Sequence, residues 1–248
     1  MTVTSFAAKW GISLAMVTGL VVSTVSSTPI LTYHDFIAKR DSHSLWFDCT
    51  AAEFEAQLRW LRSHGAHFVS LDQIFDHLVR QKPLPPHSIA LTAADGYEGF
   101  YLRALPIIRK YQVPITMFVH TKYVGGRQGR PKMTWTQLQE LDREGLVSIQ
   151  SQTVTHPADL RELADKEVAW EMTESKRQLE THLGHKSKYL AYPNGKFDDR
   201  TEVAAKAAGY LMAFSEVTEP CETSANRWAV NRYVHTKWRQ AWRDCYRR

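Results

Sequence analysis

The chain has 248 residues, 44% hydrophobic and 23% charged, with 12 Gly and 10 Pro, an ordinary globular composition whose length suits a single α/β domain. Three Cys in an odd set without a CxxC argue against a disulfide framework and a thiolate zinc site, although Cys221 and Cys245 could pair in an oxidising compartment. The net charge of +5 sits largely in the tail "KWRQAWRDCYRR", Lys237 to Arg248, which reads as a solubilising basic end or as a surface for anionic partners.

Along the chain, "MTVTSFAAKWGISLAMVTGLVVSTVSSTP" carries one Lys, then 16 uncharged, mostly apolar residues from Trp10 to Val25, then small residues. A spanning helix needs about 20 apolar residues, and charge, short apolar run and small residues are the layout of a secretory signal. Residues 1–27 are therefore expected to be a signal peptide cut near Ser27, with a membrane anchor or a buried first helix as alternatives. The protein is expected outside the cytoplasm, secreted, periplasmic or membrane-anchored.

"PILTYHD" reads as the first strand. Thr50-x-x-Glu53 is a capping box opening a helix with Phe54, Leu58 and Leu61 on one face, ended near Gly65. "HFVSL" is a short strand, and Ser70-x-x-Gln73 caps a second helix. "SIALT" is a strand, followed by a helix over Tyr101 to Tyr111 with a kink at Pro106. "PITMFVH" is a strand, "VGGRQGRPK" a loop, and Gln137 to Glu144 a helix. "LVSIQS", "KYLAYP" and "YLMAFS" are strands, separated by helices over Ala164 to Leu183 and Arg200 to Ala208. Alternating strands and helices predict a parallel sheet covered by helices, an irregular (β/α) barrel in one domain over residues 28–218. Residues 219–248 read as a basic, Trp-rich C-terminal extension, in which Trp228, Trp238 and Trp242 either pack on the barrel or form a basic aromatic surface. No GxGxxG follows a strand and no GxxxxGK[ST] is present, so nucleotide binding has little support; no nucleic-acid partner is expected.

Polar residues collect just past strand ends. Asp95 follows "IALT", Gln152 and His156 follow "LVSIQS", and Pro193, Asn194 and Gly195 follow "KYLAY". In a parallel barrel those ends share one face, where active sites sit. Taken singly, Asp95 before Gly96 could only stabilise a turn and His156 could be a hydrogen-bonded structural residue.

The ordered set "LTYHD", "LTAADGYEGFY", "SQTVTHPADL" and "YLAYPNGKFD" resembles the polysaccharide deacetylase family, the NodB-homology domain of carbohydrate esterase family four. It is similar in particular to the branch acting on β-1,6-linked N-acetylglucosamine polymers. The resemblance implies an α/β fold of the irregular (β/α) barrel type and removal of acetyl groups from an N-acetylated polysaccharide with a divalent metal, usually zinc. It also implies roles. Asp95 occupies a metal-ligand position, and Ala94 stands where the family has its general base. His156 matches the second His of a ligand pair whose first position is Gln152. Tyr192, Pro193, Asn194 and Gly195 match a groove-lining motif whose main-chain N–H, here that of Asn194, helps hold an oxyanion. His235 is a loosely placed candidate acid. Asp35 could supply a base, His34 could line the groove, and Trp135 is either a sugar platform or core.

Ala94 has no proton acceptor, and general-base help is worth about 10²–10⁴-fold. A catalytic zinc site normally has three protein ligands, and the neutral amide of Gln152 is a poor one. The resemblance therefore implies weak metal binding and impaired hydrolysis, with a catalytically inactive glycan-binding protein as the alternative. If both substitutions are to blame, Ala94→Asp with Gln152→His raises metal affinity and activity together.

Overall fold

A computed structural model describes residues 27–246; residues 1–26, which hold almost all of the expected signal or anchor, lie outside it. Among the described residues no helix is long and apolar enough to cross a membrane.

The elements follow the expected alternation. They are β1 (Ile30–Tyr33), β2 (Phe36–Ile37), β3 (Cys49–Thr50), α1 (Ala51–Ser63), β4 (His67–Val69), α2 (Leu71–Arg80), β5 (Ser88–Ala93), α3 (Leu105–Tyr111), β6 (Ile115–Val119) and α4 (Trp135–Arg143), continuing with β7 (Val147–Ser151), α5 (Asp165–Leu183), β8 (Tyr189–Ala191), α6 (Asp199–Ala207), β9 (Met212–Phe214), β10 (Tyr233–Val234) and α7 (Trp238–Tyr246). Thr50 with Glu53 and Ser70 with Gln73 form the two expected capping boxes, and Thr134 with Gln137 forms a third that starts α4 two residues earlier than its periodicity suggests. The helix expected over Tyr101 to Tyr111 begins with a π-helical turn, Phe100–Ala104. Pro106 then sits in the first turn of α3, where its missing N–H costs nothing.

The main sheet is eight-stranded and parallel, in the order β10-β1-β5-β6-β7-β8-β9 with β4 on β5. An isolated parallel bridge from Phe214 to Val230 draws β9 toward the segment entering β10, so the two ends of the curled sheet approach each other. The stretch after residue 218, expected as an extension, thus supplies a strand beside β1, and Trp242 packs into the core. Cys49, Cys221 and Cys245 are all free thiols.

Strand periodicity divides the core. Leu31, Leu91, Met117 and Ile149 face α1, α3 and α4, while Leu190 and Ala213 face α5 and α6. The alternate residues Ile30, Ala90, Phe118, Ala191 and Phe214 fill the concave interior. Register sets Thr32, Thr92, Thr116 and Ser148 side by side on that inner face. Followed on toward the C-terminal rim, the same alternation brings His34, Ala94, His120, Gln152 and Glu216 to the inner side, His120 and Gln152 one pleat beyond Phe118 and Gln150.

Candidate active site

The chain turns sharply where β5 ends. The Ala94 N–H still donates to the Tyr33 carbonyl at 2.9 Å, continuing the ladder, and Asp95 then takes φ 69°. The Asp95 N–H donates to Gln152 Oε1 at 2.8 Å. Its carboxylate meets His156, with Oδ1 3.7 Å from Nε2. Burial pushes the Asp95 carboxyl up, but His34, His156, Lys132 and His120 together hold it below the ordinary carboxylate range.

His156 is carried by a tightly held loop. Thr153 (φ 68°) and His156 (φ 52°) both sit in the left-handed region, as do Asp95 and Asn194. Asp, Asn and His tolerate it, whereas a β-branched Thr is strained there by about 1–3 kcal/mol. Hydrogen bonds hold the strain in place. The Thr153 N–H donates to Ser151 Oγ at 3.1 Å, and its carbonyl accepts from Thr121 N–H at 3.2 Å. Glu171, buried on α5, accepts from the N–H groups of Val154 at 2.7 Å and Thr155 at 2.9 Å, and from the Thr155 hydroxyl.

His120 is the residue that sequence reasoning missed. It follows β6 on the inner face, is only 8% exposed, and has no hydrogen-bond partner on either ring nitrogen among the described residues. Its ring stands edge-on to that of His156, 5.2 Å between centroids. Burial, helped by Lys132, pushes the imidazole down to about 3, so it stays neutral at physiological pH. Asp95, His120 and His156 each offer one donor atom, and the three donors lie within 4.8 Å of one another. A carboxylate and two imidazoles, one of them neutral and buried with no hydrogen-bond partner among the described residues, fit a divalent ion such as zinc, cobalt or nickel.

Opposite them His34 lies 3.8 Å through Nε2 from Glu216 Oε1. Burial lowers the His34 imidazole against the opposing pull of Asp95 and Glu216. Arg232 fills the barrel interior at 1% exposure, over the rings of Phe118 and Phe214. Its Nε donates to the Ser215 carbonyl at 2.9 Å, but its nearest carboxylate contact is Glu216, 3.9 Å away. Burial lowers this guanidinium to about 10.

Comparisons with known proteins bear on the family and the fold. A family model described as polysaccharide deacetylase matches residues 81–213, more than half of the chain. The chain belongs to the polysaccharide deacetylase family. A Bacillus subtilis protein described as a polysaccharide deacetylase, YxkH, is 29% identical over 199 residues, covering 80% of this chain and 67% of its own. The poly-beta-1,6-N-acetyl-D-glucosamine N-deacetylase of Staphylococcus aureus is 25% identical over 197 residues, 76% of this chain and 68% of its own. The Streptococcus pyogenes deacetylase PplD, solved in complex with acetate, superposes with a TM-score of 0.80 at 23% identity, covering 88% of this chain and 98% of its own.

Within this deacetylase fold the expected site residues divide. Asp95, His156 and His34 cluster. Gln152 joins them as a hydrogen-bond acceptor for the backbone of Asp95. Asn194 lies at the rim, its Nδ2 donating to the Ala158 carbonyl at 3.1 Å. Gly195, at φ 65°, packs so closely that a Cβ there would lie 2.6 Å from the Glu216 backbone nitrogen. Pro193 is buried beneath this turn.

Four expected placements differ. Tyr192 faces outward, buried beside Phe197, with its hydroxyl donating to the Trp228 carbonyl at 2.9 Å, because the pleat sends it away from the barrel interior. Trp135 stacks on His182 with centroids 3.9 Å apart, in the outer helical layer. Asp35 is committed to Arg130 at 3.0 Å in an adjoining pocket that also holds Asp48. His235 is stacked on Tyr33 and lowered to about 4 by burial, a neutral core residue. One exposed aromatic near the site is Trp46, 62% exposed, beside His34 and Phe47.

Proposed function

We propose that the chain hydrolyses acetamide groups on an N-acetylglucosamine polymer, water and amide giving acetate and a free amine, and that it does so slowly. The convergence of Asp95, His120 and His156 within 4.8 Å is the observation that carries this reading. The similarity to the staphylococcal enzyme supports the polymer class. A divalent cation held by these residues would polarise the amide carbonyl and lower the pKa of a water to ~7. The other roles belong to the chain. His34, buried against Glu216 with its imidazole lowered by burial, could take up the proton that the attacking water gives up and pass it to the leaving amine. Trp46 with Phe47 offers an aromatic face on which a sugar ring can lie. Ala94 leaves the general-base position without a proton acceptor, which costs about 10²–10⁴-fold. The charge and apolar pattern of residues 1–27 supports an exported protein.

Ala94 also favours a second reading, glycan binding without turnover. One assay separates the two. Protein freed of metal and reloaded with zinc, cobalt or nickel should release acetate from acetylated glucosamine oligomers, and a chelator should abolish the release. Heat of oligomer binding with no acetate above the metal-only blank would favour the second reading and overturn the first.

A further inference from the structure

We infer that the metal site has exchanged a ligand: His120, on the strand before the expected motif, takes the place that Gln152 vacates, and Gln152 has become the positioning residue for Asp95. The inference rests on the reading of this rim as a metal centre. Its evidence is separate from the question of turnover.

The first observation concerns position 152. An amide at a ligand position could still offer its oxygen to a metal, but the Gln152 oxygen already accepts the Asp95 N–H at 2.8 Å. Its own backbone N–H donates to the Val119 carbonyl at 2.8 Å, tying the end of β7 to the end of β6. The side chain is 3% exposed. Gln152 therefore fixes the sharp turn at Asp95, at the φ of 69° that aims the carboxylate toward His156.

The second observation concerns position 120. A buried imidazole normally satisfies both ring nitrogens, and leaving them bare costs free energy. His120 leaves both unpaired, with one within reach of the donors of Asp95 and His156. The unpaired donor is explained if an ion completes it. The third observation is mutual support between the two histidine-bearing segments. Thr121 N–H donates to the Thr153 carbonyl at 3.2 Å and Lys122 N–H to the Val154 carbonyl at 3.0 Å, so the chain just after His120 is zipped to the loop that carries His156. A ligand supplied by β6 is thus held as firmly as one supplied by β7.

The exchange keeps the donor count and type, one carboxylate and two imidazoles, while moving one donor to the neighbouring strand. It changes what a repair would do. Gln152→His removes the acceptor of the Asp95 N–H and adds a ring to a position already packed.

The test measures metal, not acetate. Zinc affinity is measured by calorimetry against a competing chelator for wild type, His120→Ala and Gln152→His. Ring-nitrogen NMR of histidine-labelled wild-type protein is recorded with and without zinc, so the outcome does not depend on a variant folding. Wild type is expected to bind one zinc. His120→Ala should lose more than the roughly 10–100-fold that removal of a merely supporting group costs. Gln152→His should not tighten binding, and zinc should shift the ring nitrogens of His120 and His156 together. Unmoved His120 nitrogens in zinc-loaded wild type, or tighter binding by Gln152→His, would overturn the exchange. So would the absence of zinc binding by wild type. Failure to release acetate alone would leave it standing.

Discussion

Ala94 carries the largest chemical consequence of any single residue in this chain. Because its N–H continues the ladder to Tyr33, its side chain shares the inner face with Thr92, and Arg232 lies against that face with Nη1 3.5 Å from Thr92 Oγ1. An Asp at 94 would bring a carboxylate beside a buried guanidinium whose nearest carboxylate among the described residues, Glu216, stands 3.9 Å off. Ala94→Asp should raise acetate release by about 10²-fold or more at equal zinc occupancy. Unchanged release at equal occupancy would show that position 94 is not the base position. The sequence made Ala94 and Gln152 visible because motifs at strand ends can be read residue by residue. It did not reveal that Gln152 bonds to the backbone of Asp95, because a side chain's partner depends on register between β5, β6 and β7. His120 was hidden for another reason. "PITMFVH" ends in a single His after an apolar run, and only the alternation Thr116, Phe118, His120, followed through to the rim, separates an inward ligand from a strand terminator.

At the scale of elements, the longer strands and the helices were legible from period and caps, since capping boxes and apolar faces are local signals. The two-residue strands β2, β3 and β10 were not, because two residues carry no period. Missing β10 also displaced Arg232, which falls in the basic extension expected over residues 219–248 and is in fact inside the barrel. Element packing holds the site as well. Glu171 projects from α5 and ties down the loop that carries His156. Glu171→Ala leaves the buried N–H of Val154 and the part-buried N–H of Thr155 without acceptors, the first costing about 1–3 kcal/mol and the second less. We expect stability to fall by about 2–4 kcal/mol in urea unfolding and zinc affinity to fall by roughly 10–100-fold. Wild-type affinity in a folded Glu171→Ala protein would mean that the loop holds His156 without this support.

For the molecule as a whole, the curl of the sheet is what turns distant residues into a site. Asp95 follows β5, His120 follows β6, and His156 follows β7, neighbours in the sheet order, so their spacing is set by parallel pairing and the pleat. The same curl brings Glu216 from β9 and His34 from β1 to the opposite side of the rim, where they meet at 3.8 Å. Only a nearly closed barrel does this; a flat sheet of the same order would hold β1 and β9 far apart. Crystals grown with zinc and measured at the zinc absorption edge test that convergence most directly. The prediction is one strong anomalous peak about 2.0–2.2 Å from donor atoms of Asp95, His120 and His156. A peak bound through Gln152 instead of His120, or no peak at the rim in zinc-saturated crystals, would contradict it.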